Sequence, residues 1–244
     1  MPSVLAGKTA DLPPEIHRDL GRFRYEVFVR RLGWSLPDIK DDTTAEWDRF
    51  DVPDTVHVIA LTAGRQVCGC ARLIPTTGPH LLEDLLAGAS NLDLPSSPTV
   101  WELSRFASSG IDPPDATAGM HLFPYALAVA TSLGATRIVG VVTHAVARLY
   151  RRFGLVLESA GSTAETSGLP FLVCALDLSP LTFDRLGLDF DNLLTSVTWL
   201  GPRKRATPGD TGDTPCTDST IDGRAPPDPD STETAAAVDW RRRT

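Results

Sequence analysis

Large apolar residues return at helical spacing early in the chain, at Ile16, Leu20, Phe23, Val27 and Phe28, directly after Pro13-Pro14. That period predicts an amphipathic first helix opened by the prolines. The pattern is then lost over 33–54, GWSLPDIKDDTTAEWDRFDVPD, a polar stretch rich in Trp and Asp that is long for a connection and so reads as a functional segment. It resumes as TVHVIALTAGRQVCGCARLIP, two strands about Ala63-Gly64-Arg65-Gln66, which predicts a hairpin. A short helical piece around 80–87 leads to the strand VWELSRF, residues 100–106, set between Ser96-Ser97-Pro98 and Ser108-Ser109-Gly110. Met120 to Leu133 reads as an apolar helix, Arg137 to Val142 as a buried strand, His144 to Phe153 as a helix, LPFLVCALDL as a last strand and 180–195 as a final helix. Strands that start antiparallel and then alternate with helices predict an α/β domain, with a central mixed sheet flanked by helices on both faces.

From about Leu200 the large apolar residues stop and Pro, Asp, Thr and Gly take over. Such a segment buries too little surface to offset its conformational entropy, so 1–200 is expected to be the folded domain and 201–244 a disordered tail. The net charge of −8 argues against a general nucleic-acid or membrane-surface binder while leaving room for a local basic patch. The N-terminus has no secretory pattern and no stretch approaches a membrane span, so a soluble cytoplasmic protein is expected. Cys68, Cys70, Cys174 and Cys216 form no metal or disulfide framework; Cys68 and Cys70, in one strand, are expected to point the same way as packing residues.

In VWELSRF, strand alternation predicts Val100, Glu102, Ser104 and Phe106 on one face and Trp101, Leu103 and Arg105 on the other. Charges in such an apolar setting need partners. Three polar groups gather along the chain: Arg24, Phe28 and Trp34; Glu46-Trp47-Asp48-Arg49-Phe50-Asp51; and Arg72 with Glu102, Ser104 and Arg105. Taken singly, Arg24 reads as a solvated helix face, Trp34 as a core anchor, and Asp48 and Asp51 as turn acids. A bridge between Arg72 and Glu102 is the plainest account of that pair, but it leaves Arg24, Asp48, Asp51 and Arg105 unexplained.

The order Arg24, Phe28, Trp34, Asp48, Asp51, Arg72-Leu-Ile-Pro-Thr-Thr, Glu102, Ser104, Arg105, carried by FRYEVFVRRLGW, EWDRFD, CGCARLIPTTGPHLLED and VWELSRFA, resembles the acyl-homoserine lactone synthases, the LuxI-type autoinducer synthases, over about residues 20–180. The resemblance implies a fold similar to the GNAT N-acetyltransferases. It also implies transfer of an acyl chain from acyl carrier protein, or in some members from acyl-CoA, to the amine of S-adenosyl-L-methionine (SAM), with lactone closure and release of methylthioadenosine. SAM enters as a substrate, with no cofactor and no metal implied. Its sulfonium suits an aromatic face or a carboxylate, which Phe28, Trp34, Asp48 and Asp51 offer, and its carboxylate suits the guanidinium fork of Arg24, Arg72 or Arg105. The amine must lose a proton to attack the thioester, and Glu102 is the candidate base. Backbone N–H groups around Ser104 to Phe106, with the Ser104 hydroxyl, are candidates to meet the developing oxyanion. On the alternation above, Arg105 points away from that centre and is expected to order the 33–54 loop through Asp48 or Asp51.

An acidic carrier protein requires a local basic surface, and helix 144–153 offers Arg148, Arg151 and Arg152, with Arg203-Lys204-Arg205 as an extension. A helix end with dipole-matched arginines explains the first three equally well. The Met120–Leu133 helix and the 137–142 strand are the available lining for an acyl chain, and the resemblance puts Thr143 near its third carbon. In GPHLLEDLL the chain departs from the family, with Leu86 where an aromatic residue is common. Two rivals stand beside this reading. An acyl-CoA acetyltransferase of GNAT type would carry a glycine-containing pyrophosphate loop, which ASSGIDPPDATAGMHLF does not supply. A non-catalytic protein that binds SAM or an acylated carrier would have no need of Glu102.

Overall fold

The computed structural model describes residues 3–34, 36, 43–86, 96–108, 121–152, 155, 158–166 and 169–202. The expected tail with Arg203, Lys204, Arg205 and Cys216, and the side chains of Leu86 and Arg152, therefore lie outside the described residues. Strands β1 (Ser3–Lys8), β2 (Val56–Leu61), β3 (Val67–Pro75), β4 (Val100–Ser108), β5 (Arg137–Thr143), β6 (Glu158–Thr166), β7 (Leu169–Asp177) and β8 (Val197–Leu200) form one mixed sheet in the order β6-β7-β5-β4-β3-β2-β1-β8. β1 through β4 are successively antiparallel, β4 and β5 run parallel, and β7 lies antiparallel to both β5 and β6. The expected hairpin is β2–β3. Strands β1, β6 and β8 were not anticipated: β1 carries Ala and Gly inside it, β6 is ESAGSTAET without large apolar residues, and β8 has four residues.

Helices cover both faces. α1 (Pro14–Arg24), continued by a π-helical turn over Tyr25–Arg31, packs Ile16, Leu20 and Phe28 against Ile59, Leu61 and Cys70. On the same side α2 (Leu81–Leu86) sets Leu82 against Val100 and Val139. The opposite face carries α3 (Phe123–Ser132), α4 (His144–Arg152), α5 (Pro180–Arg185) and α6 (Phe190–Ser196); Phe123, Leu127, Tyr150 and Phe183 join Trp101, Leu73 and Ile138 in the larger core. The expected last helix is thus two, broken at Gly187, whose φ of 64° no helix continues through, and restarted by an Asp189 cap on the Asn192 N–H.

Two bulges change the faces that simple alternation assigns. In the β2–β3 ladder Ala60 opposes Gly69 but Leu61 opposes Val67, so Cys68 is an extra residue. Cys68 therefore joins the α3-side core and Cys70 the α1-side core, correcting the expectation that they point the same way. In the β3–β4 ladder Cys70 opposes Ala107 but Arg72 opposes Ser104, and Arg105 takes a φ of 48°. That residue turns onto the face of Arg72, and Phe106 packs edge-on against Phe123 on the other. Both positions reverse the sequence expectation.

β4 and β5 are paired only from Val100 to Glu102 against Arg137 to Val139, although both run on for several residues. Past that point Leu103, Ser104, Val141, Val142 and Thr143 are half-buried. Gly140 sits so near β4 that an added Cβ would stand 2.8 Å from the Leu103 carbonyl oxygen.

Candidate active site

Three guanidiniums and three carboxylates are buried together where α1, the 43–55 segment, β3 and β4 meet. Arg24 follows Ile16 and Leu20 at four-residue steps on the inward side of α1, so the helix that buries the apolar stripe buries this charge as well. Its Nη1 and Nη2 donate to Asp51 Oδ1 and Oδ2 at 2.8 and 2.9 Å, and its Nε donates to Glu46 Oε2. Arg105 donates from Nε and Nη2 to Glu46 Oε1 at 3.1 and 3.0 Å, and from Nη2 to Asp48 Oδ2 at 2.7 Å. Arg72 donates from Nη1 to Asp48 Oδ1 at 2.5 Å and from Nε to Ser104 Oγ at 3.0 Å, with Asp51 Oδ1 3.2 Å from Nη1. Each arginine meets two acids. Burying so many charges is tolerable only because they are paired and hydrogen-bonded.

Aromatic rings line the same cluster. Phe28 and Trp34 stack at 4.9 Å, and the Arg105 guanidinium lies 5.6 and 5.8 Å from their centroids. Trp47 holds the acidic segment to α1: it stacks on His17 at 4.0 Å, lies under Arg24 at 4.9 Å, and crowds Gly21, where a Cβ would fall 2.4 Å from Trp47 Nε1. The Glu46 N–H donates to the Gly21 carbonyl at 2.9 Å. Asp48 and Asp51 are set by a turn, with the Asp48 N–H on Asp51 Oδ2 at 2.8 Å and the Phe50 N–H on Asp48 Oδ1 at 2.9 Å. Arg49 reaches out to pair with Asp84, tying this segment to α2.

Burial alone would raise the carboxyl pKa values, but Arg24 beside Asp51, and Arg24 with Arg105 beside Glu46, outweigh it and hold both acids below the ordinary carboxylate range. Arg24 stays charged for the reciprocal reason: Asp51 and Glu46 overcome the cost of its burial. His57 on β2 sits behind the cluster, with Nε2 2.9 Å from Thr9 Oγ1 and 3.8 Å from Asp51 Oδ1. Burial, with Arg24 and Arg72 nearby, outweighs Asp51 and pushes its pKa down to about 3, so it is neutral.

Glu102 occupies the next stretch of the same face. Its Oε2 accepts the Leu82 N–H at 2.6 Å, and its Oε1 is buried without a hydrogen-bond partner. It does not bridge to Arg72, whose acids are Asp48 and Asp51. Among the described residues the guanidinium nitrogens of the cluster without a hydrogen-bond partner are Arg72 Nη2, which is buried, and Arg105 Nη1. All three nitrogens of Arg24 already meet a carboxylate. Every residue expected in the SAM site thus falls in one cluster, with Ser104 attached to it and Glu102 beside it. Arg105 meets the acidic segment through Asp48, one of its two expected partners, and also through Glu46. Thr143 lies past the parting of β4 and β5, and its Oγ1 accepts the Val146 N–H at 3.3 Å, capping α4. Arg148 and Arg151 are exposed on α4.

Sequence reading named Glu46 and Trp47 in a polar group but gave neither a role, and it missed His57. Charge balance was the available signal for Glu46, because three arginines facing one buried site need three acids and Glu46 shares a side with Asp48. No group of His, Cys, Asp and Glu among the described residues is arranged to hold a metal ion, and no described helix is long and apolar enough to cross a membrane.

A mixed sheet flanked by helices, whose central parallel strands part beside buried charge, is an α/β domain of GNAT-like architecture. The chain matches the autoinducer synthase family over residues 12–185 and belongs to it, and it is accordingly an acyltransferase. It is 41% identical over 184 residues to an acyl-homoserine-lactone synthase of Ralstonia solanacearum, covering 72% of this chain and 89% of that one. The structure of TofI in a ternary complex with an inhibitor and MTA is similar at a TM-score of 0.67 and 35% identity, over 78% of this chain and 98% of that one. An acyl-CoA N-acyltransferase from Pseudomonas aeruginosa shares the fold at a TM-score of 0.51 and 20% identity, over 72% of this chain and 99% of that one.

Proposed function

We propose that this chain joins an acyl chain from acyl carrier protein to the amine of SAM and closes the product to an acyl-homoserine lactone, releasing methylthioadenosine. The observation that carries the reading is the charge-balanced cluster with two spare guanidinium donors next to the unpartnered Glu102 Oε1. A SAM carboxylate is met by Arg105 Nη1 and Arg72 Nη2, while Arg24 orders the acids. Phe28 and Trp34 offer π faces, and Asp48 and Asp51 negative charge, to the sulfonium. The MTA in TofI, taken as methylthioadenosine, is the expected by-product of such a site.

Glu102 takes the ammonium proton, directly or through one water, because a neutral amine is needed to attack the thioester carbonyl. The tetrahedral oxyanion is met by backbone N–H groups of the Ser104–Phe106 bulge. Collapse expels the carrier thiol. The methionyl carboxylate then attacks the carbon γ to the amide, and the C–S bond breaks to give lactone and methylthioadenosine, a step governed by the folded geometry of the bound substrate. The acyl chain lies between the parted strands β4 and β5, near Thr143, and the exposed Arg148 and Arg151 face the acidic carrier.

Incubation of purified protein with SAM and matched panels of acyl-carrier and acyl-CoA donors, followed by mass spectrometry, tests this reading. Lactone and methylthioadenosine form with carrier substrates. Formation only with acyl-CoA overturns the donor assignment, and binding of SAM without consumption by any donor overturns the synthase reading.

A further inference from the structure

The β4 bulge has a specific support. Arg105 adopts a φ of 48°, a left-handed conformation that residues other than glycine enter only at a cost, and the step takes its carbonyl out of the regular ladder with β3. A buried carbonyl in that situation needs a donor. Cys70, on β3 opposite the bulge, provides one: its Sγ–H donates to the Arg105 carbonyl oxygen at 3.0 Å. Burial pushes the thiol pKa up to about 12, so the sulfur keeps the proton it donates. The rest of the side chain packs with Phe28, Ile59 and Leu61, an environment that suits a small apolar body with one weak donor.

We propose that Cys70 is a positioning residue for the transfer reaction: its thiol anchors the Arg105 backbone, and the anchored bulge turns the Arg105 guanidinium into the substrate site instead of the opposite core. This rests on the reading of Arg105 as a SAM contact. Ordinary alternation would send Arg105 toward the face that holds Trp101 and Leu103, so the bulge decides whether the arginine reaches Glu46, Asp48 and substrate at all. Cys68 provides an internal comparison. It is also buried, and its Sγ donates to Ala60 O at 3.5 Å, but it belongs to the core on the other face of the sheet.

The test compares Cys70→Ala, Cys70→Val, Cys70→Ser, Cys68→Ala and Arg105→Lys in the full chain, reading SAM binding by calorimetric titration and the KM for SAM at saturating acyl donor. Loss of one hydrogen bond to the bulge weakens SAM binding roughly threefold to tenfold in Cys70→Ala and Cys70→Val. Cys70→Ser, which keeps a donor, stays within about twofold of the parent. Cys68→Ala leaves the KM for SAM unchanged even where its melting temperature falls. The proposal is overturned if Cys70→Val binds SAM as the parent does, or if Cys68→Ala weakens it equally; Cys70→Val removes the donor without opening a cavity, so it decides the matter should Cys70→Ala not fold. Weakened binding in Arg105→Lys with none in the Cys70 variants sinks only the anchoring role. Unchanged binding in Arg105→Lys sinks the assignment of Arg105 itself.

Discussion

Glu46→Ala is the most informative single change to the buried cluster. Glu46 is fully buried, takes the Nε of Arg24 on one oxygen, and takes Nε and Nη2 of Arg105 on the other. Removing it leaves three guanidiniums facing two carboxylates, and Arg105 keeps only Asp48. Breaking one side of a buried ion pair costs about 3–5 kcal/mol, because the surviving charge stays desolvated. For a domain of this size each kcal/mol lowers the melting temperature by about 2–4 °C, so Glu46→Ala should melt roughly 6–20 °C below the parent. Glu46→Gln keeps the shape and an acceptor oxygen and should fall between the two. Urea denaturation followed by tryptophan fluorescence measures the difference directly, with unchanged slopes confirming that the unfolding reaction is the same. A loss below about 1 kcal/mol for Glu46→Ala would refute the claim that this carboxylate neutralises two buried arginines.

Four further outcomes are expected. Gly21→Ala forces Trp47 off α1, since the new Cβ would stand 2.4 Å from its ring nitrogen; stability falls by about 1–3 kcal/mol and SAM binding weakens, whereas Gly78→Ala, with nothing near its Cβ, does neither. Stability rises with pH between about 5 and 6.5, by about 1.4 kcal/mol per pH unit at the lower end and about half that at the upper, because His57 stays neutral in the fold with a pKa of about 3 but binds a proton when unfolded; denaturation midpoints of His57→Gln should lose that slope. Below about pH 4.5 a second loss sets in, as Glu46 and Asp51, held below the ordinary range in the fold, take up protons on unfolding; Glu46→Ala should show less of it. Reversing Arg148 and Arg151 to Glu raises the KM for carrier substrate at low ionic strength, and added salt shrinks the effect; a KM unchanged at low salt moves the docking surface elsewhere.

Most of the fold was legible because its central elements follow simple periods: the stripe of α1, the β2–β3 hairpin and the apolar β5 all lie where the hydrophobic pattern puts them. What escaped was short or weakly patterned, as in β1, β6 and β8, or depended on one residue inserted into a ladder. Alternation counts every residue once, and a bulge adds one, so Cys68 was put on one face with Cys70, and Arg105 and Phe106 were each assigned the wrong face. The correction at Arg105 matters most, since it removes the difficulty of an arginine aimed away from its partners. The residues of the cluster were legible through their order along the chain, but their pairing was not, because Glu46 in place of Glu102 completes the balance only when three separate segments meet. Glu102 is thereby left without an arginine partner, as a base should be.

One site is proposed to bind SAM and to use Glu102 to start its acylation. The most direct test of this proposal is a single-turnover experiment on enzyme loaded with SAM and mixed with an acyl donor, with methylthioadenosine and lactone quantified together in the parent and in Glu102→Gln. The parent should release the two in equimolar amounts, while Glu102→Gln retains SAM binding and forms acylated product at least roughly a hundredfold more slowly, the ordinary worth of a general base. Equal rates in the two proteins at neutral pH, or methylthioadenosine released without acyl donor, would contradict it.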